Sequence, residues 1–164
     1  MHWLAFAVVA LAAAVVAGGV RFALGTVNGV TMPLALMSIG DGYYLTPVAA
    51  GAFLAMRQAA LADGVAFVVN SAFRSSEAQV KIWRERTDDP GTPLDYSDDK
   101  RNAKWDSDGP VARPGTSKHE AGTAVDIDTA GGTNAAFVWL TANAGRFGFK
   151  RTVAKEPWHW EYAP

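Results

Sequence analysis

The sequence predicts an α+β domain, and three observations lead there. Its 164 residues are 49% hydrophobic and 19% charged, which suits one globular core plus a single extra apolar segment. Two stretches, 46–62 and 133–144, carry helix start and stop signals. Four short runs, at 65–69, 124–128, 147–152 and 158–162, are β-branched or aromatic and read as strands.

The extra apolar segment comes first. From Trp3 to Val20 eighteen residues pass without a charge, and Ala and Val dominate. That is the lower edge of what spans a bilayer, about 17–25 residues. Residues 1–24 are expected to be a signal anchor or signal peptide, because a buried helix of the domain would carry a polar face. Arg21 opposes export weakly: it follows the run, and the positive-inside rule would place that end in the cytoplasm. Residues 25–40, rich in Gly, Thr, Met and Ser, read as a linker, and 41–164 as the folded domain.

Thr46-Pro47 gives an N-cap followed by proline at the first helical position. The Ala-rich helix that follows carries Phe53, Leu54, Met56 and Leu61 and stops at Asp63-Gly64. Val65 to Val69 is a buried strand. A second helix opens at Ser75 or Ser76, where Ser76 and Gln79 fit a capping box, and Val80, Ile82 and Trp83 give it apolar contacts. From Thr87 to Lys118 the chain is polar and holds Pro90, Pro93, Pro110 and Pro114. So long an irregular stretch is either functional or a solvated excursion. Within it, Asp106 to Gly109 reads as a turn, because the later ligands of a calcium loop are missing. Ala124 to Asp128 alternates as a strand, and Gly131-Gly132 breaks it. Thr133 or Asn134 caps a helix through Ala144, ended by Gly145, and two strands close the chain.

Net charge is −1 and the pI about 6.3. No basic face for nucleic acid is implied. There is no cysteine, so a metal would have to be held by His, Asp or Glu.

Two of the three histidines sit in dense polar-aromatic motifs. Ser117 to Ile127 reads SKHEAGTAVDI, with His119 in a loop and Asp126 in a strand; Glu156 to Tyr162 reads EPWHWEY, with His159 in the last strand. Two imidazoles and one carboxylate leave a fourth position for water, the pattern of a catalytic zinc. Alternation places Asp126 and Asp128 on one strand face, with Val125 and Ile127 on the other. His159 and Glu161 likewise share a face opposite Trp158, Trp160 and Tyr162. An inward Asp126 needs a metal or an ion partner. Glu161 and Asp128 are then candidates to orient a ligand imidazole. On spacing alone a structural histidine remains as good a reading as a ligand.

The segments SAFRS at Ser71 to Ser75, SKHEAGTAVDI and EPWHWEY occur in the order seen in D-Ala-D-Ala carboxypeptidases and VanY-type metallopeptidases. The chain resembles that family from about Asp41 to Tyr162. The wider group includes VanX-like dipeptidases, phage L-alanyl-D-glutamate peptidases, lysostaphin-type enzymes and the hedgehog signalling domain. The resemblance implies a small, mostly antiparallel sheet carrying the metal site, with the 46–62 and 134–144 helices packed on it. It makes His119, Asp126 and His159 ligands of one zinc ion per chain, Glu156 the general acid/base, and Arg74 the holder of the substrate carbonyl. Ser117, Gln79 and Ser71 are implied to line the substrate cleft. One position departs: many VanY-type enzymes have a basic residue where this chain has Glu161, which bears on recognition of the substrate terminus.

The implied activity is hydrolysis of a peptide bond in peptidoglycan stem peptides, with D-alanyl-D-alanine carboxypeptidase leading. The alternatives are an L-alanyl-D-glutamate endopeptidase of endolysin type and a zinc-containing binding module without catalysis. The expected location is extracytoplasmic, in the periplasm or at the cell surface, either membrane-anchored through the N-terminal segment or secreted.

Overall fold

The computed structural model describes residues 19–87 and 111–164. Most of the N-terminal apolar segment, and the polar stretch holding the Asp106–Gly109 turn, lie outside the described residues.

Strand β1 (Val20–Val27) pairs antiparallel with β2 (Val30–Gly40), which pairs with β3 (Tyr43–Leu45). The stretch 25–40 is therefore not a linker but a β-hairpin, and its first strand begins inside the expected N-terminal segment. The cause is Asn28-Gly29, whose φ angles of 50° and 80° are both positive. Such a pair, flanked by Val27 and Val30, makes a two-residue turn whose twist matches the strands.

Helix α1 (Pro47–Ala62) starts at Pro47 as the sequence implies. Thr46 is not a side-chain cap, however; its hydroxyl donates to the Gly122 carbonyl at 3.2 Å and its N–H to the same oxygen at 2.9 Å. Helix α2 (Ser76–Thr87) is capped by Ser75, whose Oγ accepts from the Ala78 N–H at 3.2 Å. The Ser76–Gln79 box does not form, since the Gln79 amide is engaged elsewhere. Helix α3 (Ala135–Asn143) begins at Asn134, which accepts from the Phe137 N–H at 3.0 Å, and runs into a 3-10 turn over Ala144–Phe147.

The second sheet has the order β4-β5-β7-β6, formed by Val69–Ser71, Ala124–Ile127, His159–Tyr162 and Phe149–Lys150, all neighbours antiparallel. The strand expected at 65–69 starts only at Val69, because Val65 spends its N–H on the Ala60 carbonyl at the end of α1. The α+β class stands, with two antiparallel sheets in place of one. Val125, Ile127 and Trp160 join Phe53, Met56, Leu140 and Phe149 in one buried core. Burial on this scale, about 25 cal/mol per Å² of apolar surface, holds the ligand strands by their inner faces. Asp126 and His159, opposite one another in register, project from the other side.

Candidate metal centre and active site

His119 is delivered by the tight loop 117–123. Ser117 Oγ accepts from the His119 N–H at 3.2 Å, and the Gly122 N–H returns to the His119 carbonyl at 3.1 Å. Gly122 is needed there twice over: its φ is +67°, and a Cβ would lie 3.1 Å from Thr46 Cγ2 and 3.3 Å from Thr46 N. The loop is braced from outside. The Arg74 N–H donates to the His119 carbonyl at 3.1 Å and the Thr26 N–H to the Glu120 carbonyl at 3.2 Å.

The three expected ligands meet. His119 Nε2 lies 3.3 Å from Asp126 Oδ1, and His159 Nδ1 lies 3.0 Å from the same oxygen. One ligand atom from each of the three residues falls within 4.8 Å of the others. Ligand atoms about 2.0–2.2 Å from a tetrahedral zinc stand about 3.4 Å apart, so the spacing fits.

Hydrogen bonding settles which nitrogens are free. His119 Nδ1 is 2.7 Å from the Ala72 carbonyl, an oxygen that can only accept, so Nδ1 carries the proton and Nε2 offers its lone pair. His159 Nε2 is 3.1 Å from Glu161 Oε1, which leaves Nδ1 turned to Asp126. Two imidazole nitrogens and a carboxylate oxygen thus converge among buried side chains, an arrangement that could hold a metal ion.

The electrostatics agree. Burial pushes the Asp126 carboxyl up, but hydrogen bonds and charge from His119 and His159 overcome it and bring its pKa to about 2. For His159, burial favours the neutral ring, yet hydrogen bonds to Asp126 and Glu161 raise its pKa overall. Positive charge is favoured at this point.

Glu156 is buried beside the ligands, its Oε2 3.9 Å from His159 Nδ1. Its pKa is raised, first by burial and then by the charge of Asp126, against the lowering effect of His159. A carboxyl held above its ordinary value is suited to passing a proton near neutral pH. Arg74, in the loop between β4 and α2, donates from Nη1 to Gln79 Oε1 at 2.8 Å. Burial lowers its pKa, while Asp126 and Glu120 favour the charged form.

The remaining expected residues divide. Glu161 does lie against an expected ligand ring, its Oε1 3.1 Å from His159 Nε2. Asp128 does not: β5 ends at Ile127, and the exposed Asp128 carboxylate accepts from the Ala130 N–H at 2.9 Å, a turn bond. Gln79 does not line an open cleft, being fully buried with its amide bridging Arg74 and the Ala112 carbonyl, the latter at 2.6 Å. Ser117 is buried with its hydroxyl on the His119 loop. Ser71 is half-buried in β4, opposite Asp126 in register.

Sequence reasoning missed two contributors. The Ala72 carbonyl is a backbone atom and leaves no side-chain signal. Glu120 lay inside a quoted motif without a role; it is fully buried, and its Oε2 accepts from the Gly115 N–H at 2.8 Å. Burial raises its pKa, against hydrogen bonds that lower it.

Comparison with known proteins bears on this site. A family model described as VanY, D-alanyl-D-alanine carboxypeptidase, matches residues 42–164. The chain is 38% identical over 117 residues to a D-alanyl-D-alanine carboxypeptidase of Enterococcus faecalis, covering 63% of this chain and 42% of that protein. It thus spans less than half the length of that curated relative. Among solved structures, the vancomycin-resistance D,D-pentapeptidase VanY from a VanB-type cassette, a mutant in complex with Zn(II), is 31% identical with a TM-score of 0.61, over 80% of this chain and 79% of that one. VanYB in complex with D-alanine-D-alanine is 31% identical with a TM-score of 0.62, over 80% and 78%. A match covering residues 42–164 includes the three expected ligands, Glu156 and Arg74, and the chain belongs to the VanY family of D-alanyl-D-alanine carboxypeptidases.

Proposed function

We propose that this protein is a zinc-dependent D-alanyl-D-alanine carboxypeptidase that removes the terminal D-Ala from peptidoglycan stem peptides. The observation that carries it is the buried Glu156 carboxyl 3.9 Å from a ligand nitrogen of the His119–Asp126–His159 set. A site built only to bind needs no proton acceptor there.

His119 Nε2, Asp126 Oδ1 and His159 Nδ1 would hold the metal. When bound, zinc supplies Lewis acidity at the scissile carbonyl and lowers the pKa of water to about 7. Glu156 accepts the proton of the attacking water as the C–O bond forms, then gives it to the departing amine nitrogen as the C–N bond breaks. Arg74, held by Gln79, meets the negative charge that develops on the carbonyl oxygen. A well-placed donor of that kind contributes about 3 kcal/mol. The solved relative bound to D-alanine-D-alanine supports this substrate class.

One observation favours a second reading. Where many VanY-type enzymes carry a basic residue this chain has Glu161, an altered contact for the substrate terminus, and the alternative substrate is an L-alanyl-D-glutamate bond. Mass spectrometry of defined muropeptides, with and without a chelator, separates the two. Chelator-sensitive release of one D-Ala from a pentapeptide is expected. A fragment with a newly exposed D-Glu amine instead would establish the endopeptidase, and intact substrate would contradict both.

We further propose extracytoplasmic action with membrane association through the apolar run Trp3–Val20. The cell-wall substrate and the eighteen uncharged residues support this. Among the described residues no helix is long and apolar enough to cross a membrane.

A further inference from the structure

Among the described residues, three of the ten exposed large apolar side chains lie on β1. Val20, Phe22 and Leu24 alternate along β1 and are 53%, 72% and 56% exposed. In the hairpin register Leu24 lies opposite Pro33 and Phe22 opposite Ala35, so these five residues share one face. Pro33 is exposed as well. The face carries no charge. Arg21 alternates to the other side, where its guanidinium sits 3.5 Å from the Tyr44 ring centroid. On this same face Met37, opposite Val20, is packed in the core and Thr26 is buried; between them Phe22, Leu24 and Pro33 form a stretch that is neither packed on the core nor covered by polar side chains.

What precedes the hairpin indicates what covers it. The uncharged run Trp3–Val20 ends on this face, Val20 being both the last residue of the run and the first of β1. Phe22 lies two residues further, about 7 Å along the strand. We infer that the Val20–Phe22–Leu24–Pro33 face rests in the interfacial zone of a phospholipid bilayer, so that the hairpin is a lipid-contacting foot beside the apolar run. The inference depends on the membrane association proposed above. An apolar stripe joined to a membrane-held run meets lipid without any further partner.

The consequence reaches the metal centre. The far end of the same hairpin holds the ligand loop, through the Thr26 N–H to the Glu120 carbonyl and the Gly29 N–H to the Gly115 carbonyl, both 3.2 Å. A hairpin seated on lipid therefore fixes how the His119 loop stands relative to the membrane.

The chain has no cysteine, so single cysteines can be spin-labelled in the full-length protein, reconstituted in vesicles of equal parts phosphatidylethanolamine and phosphatidylglycerol. Labels at Phe22→Cys and Pro33→Cys are expected to collide several-fold more with oxygen than with a water-soluble nickel chelate. Labels at Val30→Cys, on the opposite hairpin face, and Val138→Cys, on α3, are expected to show the reverse; these positions are 61% and 66% exposed. Pro33 decides the matter, because it is remote in sequence from the apolar run. A Pro33 label as open to nickel as Val30 would overturn the lipid contact, and a label shielded from both reagents would show protein on the face instead. Failure of the chain to float with vesicles would overturn the membrane association itself. Flotation with an aqueous Pro33 label would overturn only the foot.

Discussion

Glu161 Oε1 lies 3.1 Å from His159 Nε2, and this contact decides that His159 faces the metal position through Nδ1. It is a cross-check on the ligand set, because Nδ1 is also the nitrogen 3.0 Å from Asp126. Removing the carboxylate frees the ring to turn. Glu161→Ala is expected to weaken zinc affinity about 10–100-fold, measured by competition with a chromogenic chelator. Glu161→Gln keeps an acceptor oxygen and should lose much less. Equal affinity in wild type and Glu161→Ala would remove Glu161 from the site.

Glu156→Ala is expected to retain the fold and one zinc per chain while losing nearly all hydrolysis. Metal content by mass spectrometry and product release from a D-Ala-D-Ala substrate check the two halves separately. An active Glu156→Ala variant would contradict the proton-transfer role.

Arg74→Ala is expected to lower kcat about 10²-fold, since the lost interaction is made to charge that develops during reaction. Gln79→Ala removes the acceptor that aims Arg74, so it should lower kcat in the same direction but by less. It should also destabilise the fold by about 1–3 kcal/mol, because the Ala112 carbonyl loses its donor. Unchanged kcat in Arg74→Ala, read by steady-state kinetics, would return that residue to a purely structural role.

Two carboxyls set opposite pH behaviour. Asp126 has a folded pKa of about 2, below its ordinary 3.8. Its contribution in the metal-free protein, about 2 kcal/mol, is fully present above the unfolded value and is lost as pH falls toward 2. Denaturant titrations of the chelated protein and of Asp126→Asn check this; an identical pH dependence would contradict it. Glu156 is raised, so its proton stays on to higher pH than in an ordinary glutamate. In the metal-free protein Glu156 should therefore titrate above the usual carboxylate range, read by carboxyl NMR with Glu156→Gln to assign the signal; a titration at or below the usual glutamate value would contradict that environment.

The convergence of His119, Asp126 and His159 was legible mainly through the resemblance, which rests on short local motifs. His119, Asp126 and His159 sit in short motifs, and strand alternation separated Asp126 and His159 from the apolar faces of β5 and β7. The same alternation over-reached at Asp128, where the strand has already ended and the carboxylate serves a turn. Gln79 was misread because its partners, Arg74 and the Ala112 carbonyl, are brought to it by tertiary packing. The hairpin was missed for a different reason. Its Gly- and Thr-rich composition resembles a linker, while the Asn28-Gly29 turn that makes it a hairpin occupies only two positions.

The most direct measurement is anomalous diffraction at the zinc edge from crystals of the metal-loaded protein. One peak per chain is expected, about 2.0–2.2 Å from His119 Nε2, Asp126 Oδ1 and His159 Nδ1. A zinc held by other side chains, or no peak with these three residues turned apart, would contradict the metal centre and everything derived from it.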